Sequence, residues 1–212
     1  MRAISYSQEH LDIIKEKMLE ANFCGGSWSD QNLEEVKAAI KNFYIREQNN
    51  TCVYCKQLIR SNNGRLWDIE HIIPRDSSIY FMFEPLNLCV TCPDCNVRKG
   101  ASKVTGSKAK KKLPKKSINY MIIHPHFDTY DEHIEIIELG EFYQAKSKKG
   151  ERTMYCCGLN RFYEYAGYDK SVSSDNLILK LANKLADVEN EDDKDKLLRE
   201  IAAHALRQLI SR

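Results

Sequence analysis

Apolar residues near the start of the chain recur every three to four positions. Leu11, Ile14, Met18 and Leu19 share one face across residues 8–22, with charged residues between them, and this period predicts an amphipathic helix. Asn22-Phe23-Cys24-Gly25-Gly26 interrupts it. A second helix is expected after Ser29 or Asp30, either of which can cap it, with Glu34 and Glu35 in the first turn where the macrodipole favours acids. Its apolar face is Leu33, Val36, Ile40, Phe43 and Tyr44. From Asn49 the period changes. Asn49-Asn50 and Asn62-Asn63-Gly64 are turn signals around two β-like runs, 51–59 and 65–71. Residues 74–85 read as a loop, and Pro93–Lys99 as a short helix with proline at its start. The expected order is strand, strand, loop, helix.

Further on, 118–123 and 132–139 are strand-like, and Gly140 and Lys148-Lys149-Gly150 mark turns, which predicts a small β region through Cys157. Leu159-Asn160-Arg161 can begin another helix continuing to Tyr165. Leu177, Leu181 and Leu185, then Leu197, Ile201, Ala205 and Leu209, recur at spacings of four, so two terminal helices are expected, separated by a turn within acidic 187–195. The fold class is α+β, in three regions: a helical scaffold at 1–48, a chemical core with a basic loop at 49–116, and a β-hairpin region with terminal helices at 117–212.

Composition narrows this little. The 212 residues suit one domain with appendages or two small ones, and a net charge of +2 is uninformative by itself. Its distribution matters more. Lysines stand at 103, 108, 110, 111, 112, 115 and 116, broken by Gly106 and Pro114. Such a segment is either a solvated loop or a phosphate-contacting one. There is no run long enough to span a bilayer and no charged-then-apolar leader, so no membrane association is expected and the cytoplasm is the default location. Eight cysteines without a leader argue against a secreted disulfide framework. Two separated Cys-x-x-Cys pairs, Cys52/Cys55 and Cys92/Cys95, offer four thiolates to a structural Zn²⁺, although Cys89/Cys92 has the same spacing. Cys24, Cys89, Cys156 and Cys157 then remain as reduced, partly buried thiols.

The reactive residues lie beside these cysteines, in Trp67-Asp68-Ile69-Glu70-His71-Ile72-Ile73-Pro74 and Asn87-Leu88-Cys89-Val90-Thr91-Cys92-Pro93-Asp94-Cys95-Asn96-Val97-Arg98-Lys99-Gly100. The His71 imidazole can take a proton from water near neutrality. The Glu70 carboxylate and the Asn96 amide oxygen are hard ligands suited to Mg²⁺ or Mn²⁺. Neighbours in a strand point to opposite faces, so Glu70 and His71 serve one site only if the strand ends or bends there.

The pattern Cys-x-x-Cys, Glu-His-x-x-Pro, Asn-Leu, Cys-x-x-Cys-Asn-x-x-Lys-Gly resembles the HNH endonucleases of the ββα-metal group, across about residues 51–100. The resemblance implies that His71 is the general base, Glu70 and Asn96 are the catalytic metal ligands, and Asn87 orients the site loop. It also places the second cysteine pair five and eight residues after Asn87, which selects Cys92 and Cys95 and leaves Cys89 out. Lys99 matches a basic position expected to touch phosphate, and Arg98 with Lys103, Lys108, Lys110, Lys111 and Lys112 would bind nucleic-acid backbone, most readily double-stranded DNA. Two departures stand out: Glu70 where Asp is commoner, and Asn96 where His also occurs. The run Ile123-His124-Pro125-His126-Phe127-Asp128 through His133 is similar to a segment of bacterial HNH nucleases that partner ATPases in antiphage defence, such as Septu. The competing reading is a zinc-stabilised nucleic-acid-binding protein without catalysis, which gives Glu70, His71 and Asn96 no role.

Overall fold

A computed structural model describes residues 1–61, 63–106, 111–161 and 176–210. Helix α1 (Gln8–Leu19) starts where the Ser7 hydroxyl accepts the His10 amide. It turns Ile14 and Lys17 inward, and Leu11, Met18 and Leu19 stay exposed, so the expected apolar face is rotated. The cause is Lys17, whose ammonium reaches Glu20 at 2.7 Å and Asp30 at 3.0 Å while its stem lies buried against the protein. With Asp30 engaged there, no side chain caps α2 (Glu34–Glu47), which instead follows a short 3-10 turn, Gln31–Leu33. Its inward face is Leu33, Val36, Ile40 and Tyr44, with Phe43 at the margin.

Strand β1 (Asp68–His71) pairs antiparallel with β2 (Leu88–Thr91), in the register Asp68↔Thr91, Ile69↔Val90, Glu70↔Cys89 and His71↔Leu88. This corrects the expected strand order. The run 51–59 is a knuckle closed by one bridge, Thr51↔Leu58. Its chain reverses through Lys56 at φ 58°, with the Lys56 amide on the Cys52 carbonyl. Residues 64–66 form a 3-10 turn. The hairpin therefore spans the loop after Pro74, and helix α3 (Pro93–Lys99) follows β2 directly, giving the order β, loop, β, α.

The hairpin is a wall between two cores. Leu88 and Val90 pack with Leu33, Val36, Ile40, Tyr44 and Trp67 on the side of α1 and α2. Cys89 packs on the other side with Tyr54, Ile122, Tyr143 and Cys157. Period-two alternation puts each strand residue in one core or the other.

The second core is closed by β3 (Ile134–Glu138) paired with β4 (Phe142–Ala145), and by helix α4 (Lys148–Cys157). Two expectations fail here. Residues 118–123 are not a strand: Ser117–Asn119 is a 3-10 turn, Ile118 is 86 % exposed, and the one ladder pairing is Thr105↔Tyr120. Lys148-Lys149-Gly150 is not a turn but the start of α4, where Ser147 accepts the Gly150 amide. Gly150 is small because a Cβ there would lie 2.0 Å from the His133 carbonyl oxygen. Helices α5 (Asn176–Asp187) and α6 (Glu191–Ile210) complete the described chain, with the turn inside the acidic stretch as expected. The helix expected to continue to Tyr165 lies outside the described residues after Arg161. Among the described residues no helix is long and apolar enough to cross a membrane.

Candidate functional site

Each half of the metal centre comes from one tight turn. Cys52 and Cys55 sit on the knuckle, while Cys92 caps α3 and Cys95 lies in its first turn. The four Sγ atoms lie within 4.8 Å of one another and all four residues are buried. Zn–S bonds of about 2.3 Å in a tetrahedron place sulfurs about 3.8 Å apart, and Cys55 and Cys92 stand at 3.8 Å. The set can hold a zinc ion. Arg161 Nη1 lies 3.7 Å from the Cys95 sulfur, where a guanidinium offsets thiolate charge. Cys89 is elsewhere: it faces Glu70 across the hairpin, and burial raises its thiol far above the ordinary range.

The hairpin separates the reactive residues into two layers. Asp68 and Glu70 face α3. Asn96 Nδ2 donates to Asp68 Oδ2 at 2.9 Å. Glu70 is buried, with the Lys99 ammonium and, at 3.4 Å, the Tyr54 hydroxyl both on Oε1. Burial pushes the Glu70 carboxyl up and the Lys99 charge opposes it, with a net rise. His71 occupies the opposite layer. Its Nε2 stands 3.0 Å from the Met82 carbonyl oxygen, and since a carbonyl only accepts, Nε2 carries the proton and Nδ1 keeps a lone pair. The Trp28 ring meets the imidazole edge-on at 4.6 Å. Burial, with Arg75 nearby, lowers the His71 pKa to about 3, so the ring is neutral at physiological pH.

Asn87 ties down the loop between the strands. Its Oδ1 accepts from Ile73 N at 2.7 Å, and its Nδ2 donates to Ile73 O and Phe81 O, both at 3.1 Å. The carbonyl that meets His71 Nε2 belongs to Met82, one residue beyond Phe81.

The expected nucleic-acid contacts divide. Lys99 is 1 % exposed, its ammonium on Glu70 and, at 3.0 Å, on the His71 carbonyl. Arg98 lies against Gly158, where any Cβ would come 2.7 Å from its side chain. Lys103, Lys111 and Lys112 are exposed, and Lys108 and Lys110 lie outside the described residues. His124, His126 and His133 are buried or half-buried. His124 is buried, His126 Nε2 donates to the Leu88 carbonyl at 2.9 Å, and His133 meets Ser147 at 2.8 Å.

Sequence reasoning passed over Asp68, although it stands two residues before Glu70 and must share its face. It also passed over the N-terminal wall. An open groove of about 460 Å³ is lined by Trp28, Lys37, Lys41, Asp68, Arg75 and Asn96, among others. No local signal in the sequence joins these residues.

A buried cysteine tetrad thus clips a ββα unit, with a neutral histidine at the end of its first strand. Residues 52–102 match the HNH endonuclease family model. Over 125 residues the chain is 29 % identical to the Septu protein PtuB of Bacillus thuringiensis, a match that covers 59 % of this chain and 42 % of the relative. It therefore spans less than half of that relative's length. No solved structure matches the chain.

Proposed function

We propose that the chain is a divalent-cation-dependent endonuclease that hydrolyses phosphodiester bonds, in double-stranded DNA. The reading is carried by His71: neutral, fixed in one tautomer by the Met82 carbonyl, and placed where β1 ends beside a layer of oxygen donors. A general base must be unprotonated at its working pH, as the neutral ring with its free Nδ1 lone pair is. Asn87 keeps the loop, and with it the Met82 carbonyl, in position.

The donor set fits Mg²⁺ or Mn²⁺. Asn96 spends its amide nitrogen on Asp68 and retains its oxygen, and both contacts of Glu70 fall on Oε1, which leaves Oε2 to ligate. Glu70 and Asn96 would hold the ion, with Asp68 adjacent. When bound, the cation neutralises charge on the phosphate and on the leaving oxygen. His71 Nδ1 takes the proton of the attacking water, and the HNH resemblance implies loss of the 3′-oxygen and a 5′-phosphate product.

A second reading, a zinc-stabilised binder without catalysis, is favoured by the ammonium already seated on Glu70. Plasmid incubated with wild type and His71→Ala, in Mg²⁺ or Mn²⁺, decides between them. Cleavage by wild type with a loss of at least about 100-fold in the variant is expected, the range of general-base contributions. Equal cutting by both removes His71 as base, and DNA binding without cutting establishes the second reading. The similarity to a Septu protein supports a role in antiphage defence, in the cytoplasm beside an ATPase subunit. Co-purification of that subunit with this chain tests it.

A further inference from the structure

We infer that the N-terminal helical segment forms the second wall of the substrate channel, and that Lys41 on that wall and Arg75 on the wall of Asn96 clamp the backbone of duplex DNA between them. The matched HNH stretch begins at residue 52, yet the groove at its catalytic edge is lined on one side by Trp28, Lys37 and Lys41 and on the other by Asp68, Arg75 and Asn96. The two sides are fastened together. Arg75 Nη1 donates to the Gly25 carbonyl at 2.9 Å, and its guanidinium lies 5.8 Å from the Trp28 ring, whose edge meets His71. Lys41 Nζ donates to the Gly64 carbonyl at 3.0 Å, and Lys37 Nζ to the Trp28 carbonyl at 3.2 Å. A carbonyl orients a cation without cancelling its charge, so Lys41 and Arg75 are pre-positioned for an anion at small entropic cost. Lys37 also pairs with Glu34, another lining residue, at 2.6 Å. Lys37 and Lys41 stand one helical turn apart on α2, on one face. Cations on both walls of an open trough, with His71 buried behind the lining residue Trp28, suit a phosphodiester chain passing through.

The occupant follows from the endonuclease reading, and binding is measured without cutting so that the two fail separately. A fluorescein-labelled 20-base-pair duplex is titrated with the full chain carrying His71→Ala, by anisotropy at several salt concentrations. Adding Lys41→Ala with Arg75→Ala should weaken binding at least tenfold and make the slope of log affinity against log salt shallower by about 2, one unit for each phosphate that is no longer neutralised. Lys41→Arg with Arg75→Lys should restore most of it, and zinc content and circular dichroism should match the parent in both. Unchanged affinity and slope in the alanine pair would overturn the proposal, as would weaker binding only on Lys111→Ala with Lys112→Ala. Preference for single-stranded RNA over the duplex overturns the assigned ligand. A wild type that does not cut, but whose duplex binding depends on Lys41 and Arg75, keeps the channel and removes the nuclease. A wild type that cuts, while the alanine pair binds normally, does the reverse.

Discussion

Lys99 and Glu70 form an ion pair with almost no access to water. Desolvation makes such a pair of small net value when intact, but removing one partner strands the other charge. Lys99→Met should cost about 3–5 kcal/mol, read by urea unfolding, and Glu70→Gln in the same chain should recover much of that loss. Equal stability of Lys99→Met and wild type would show that Glu70 is neutral or hydrated in solution. His124 makes a different prediction. Burial lowers its pKa to about 3, whereas in the unfolded chain it titrates near 6.5. Between those values the unfolded state holds more protons, so the contribution is complete above about 6.5 and is lost as pH falls toward 3. At pH 5 the loss is about 2 kcal/mol. Going from pH 7.5 to pH 5, His124→Asn should therefore lose about 2 kcal/mol less than wild type. Parallel losses in the two proteins would mean that His124 is not neutral in the fold.

Among the elements, α4 and the hairpin show what a sequence discloses and what it hides. Gly150→Ala puts a methyl 2.0 Å from the His133 carbonyl, and pushing α4 off β3 should cost about 1–3 kcal/mol, as overpacking does. Gly64→Ala, where a Cβ meets nothing within 4 Å, is the control and should leave Tm nearly unchanged. A Gly150 variant as stable as that control would mean that α4 is not seated on β3 as described. The glycine that makes this approach possible is the one that makes 148–150 look like a turn, since composition alone does not separate close packing from chain reversal. β2 was hidden for another reason: all four residues are buried, so the alternation that marks a half-exposed strand is absent. The cysteine pairs and α2 were legible because their signals are local. Asp68 could have been found from strand period alone. The groove could not, because its walls come from residues 28–41 and 68–96, which only the folded hairpin brings together.

At the scale of the molecule, both cores pack against the hairpin, and the four-cysteine cluster, which can hold zinc, joins the 51–59 knuckle to the helix that follows β2. β2 carries Leu88 and Val90 into the packing of α1 and α2 while Cys89 faces the other core. Gln48, just past α2, is bonded to both the amide and the carbonyl of Val90, at 2.9 and 2.8 Å, and Tyr44 holds the Pro85 carbonyl at 2.6 Å. Zinc binding to such a site counts toward folding free energy, since the unfolded chain holds no preformed tetrad. If the hairpin couples the cores, removing zinc will not leave the N-terminal helices standing. Hydrogen exchange at neutral pH, before and after treatment with a strong zinc chelator, should show α2 amides losing protection together with those of α3 and β2, and Cys52→Ser should reproduce the pattern with no bound zinc. Protection retained in α2 while α3 opens would show that residues 1–48 fold by themselves. The wall of the groove carrying Lys41 would then persist without zinc, and only its catalytic side would depend on the metal.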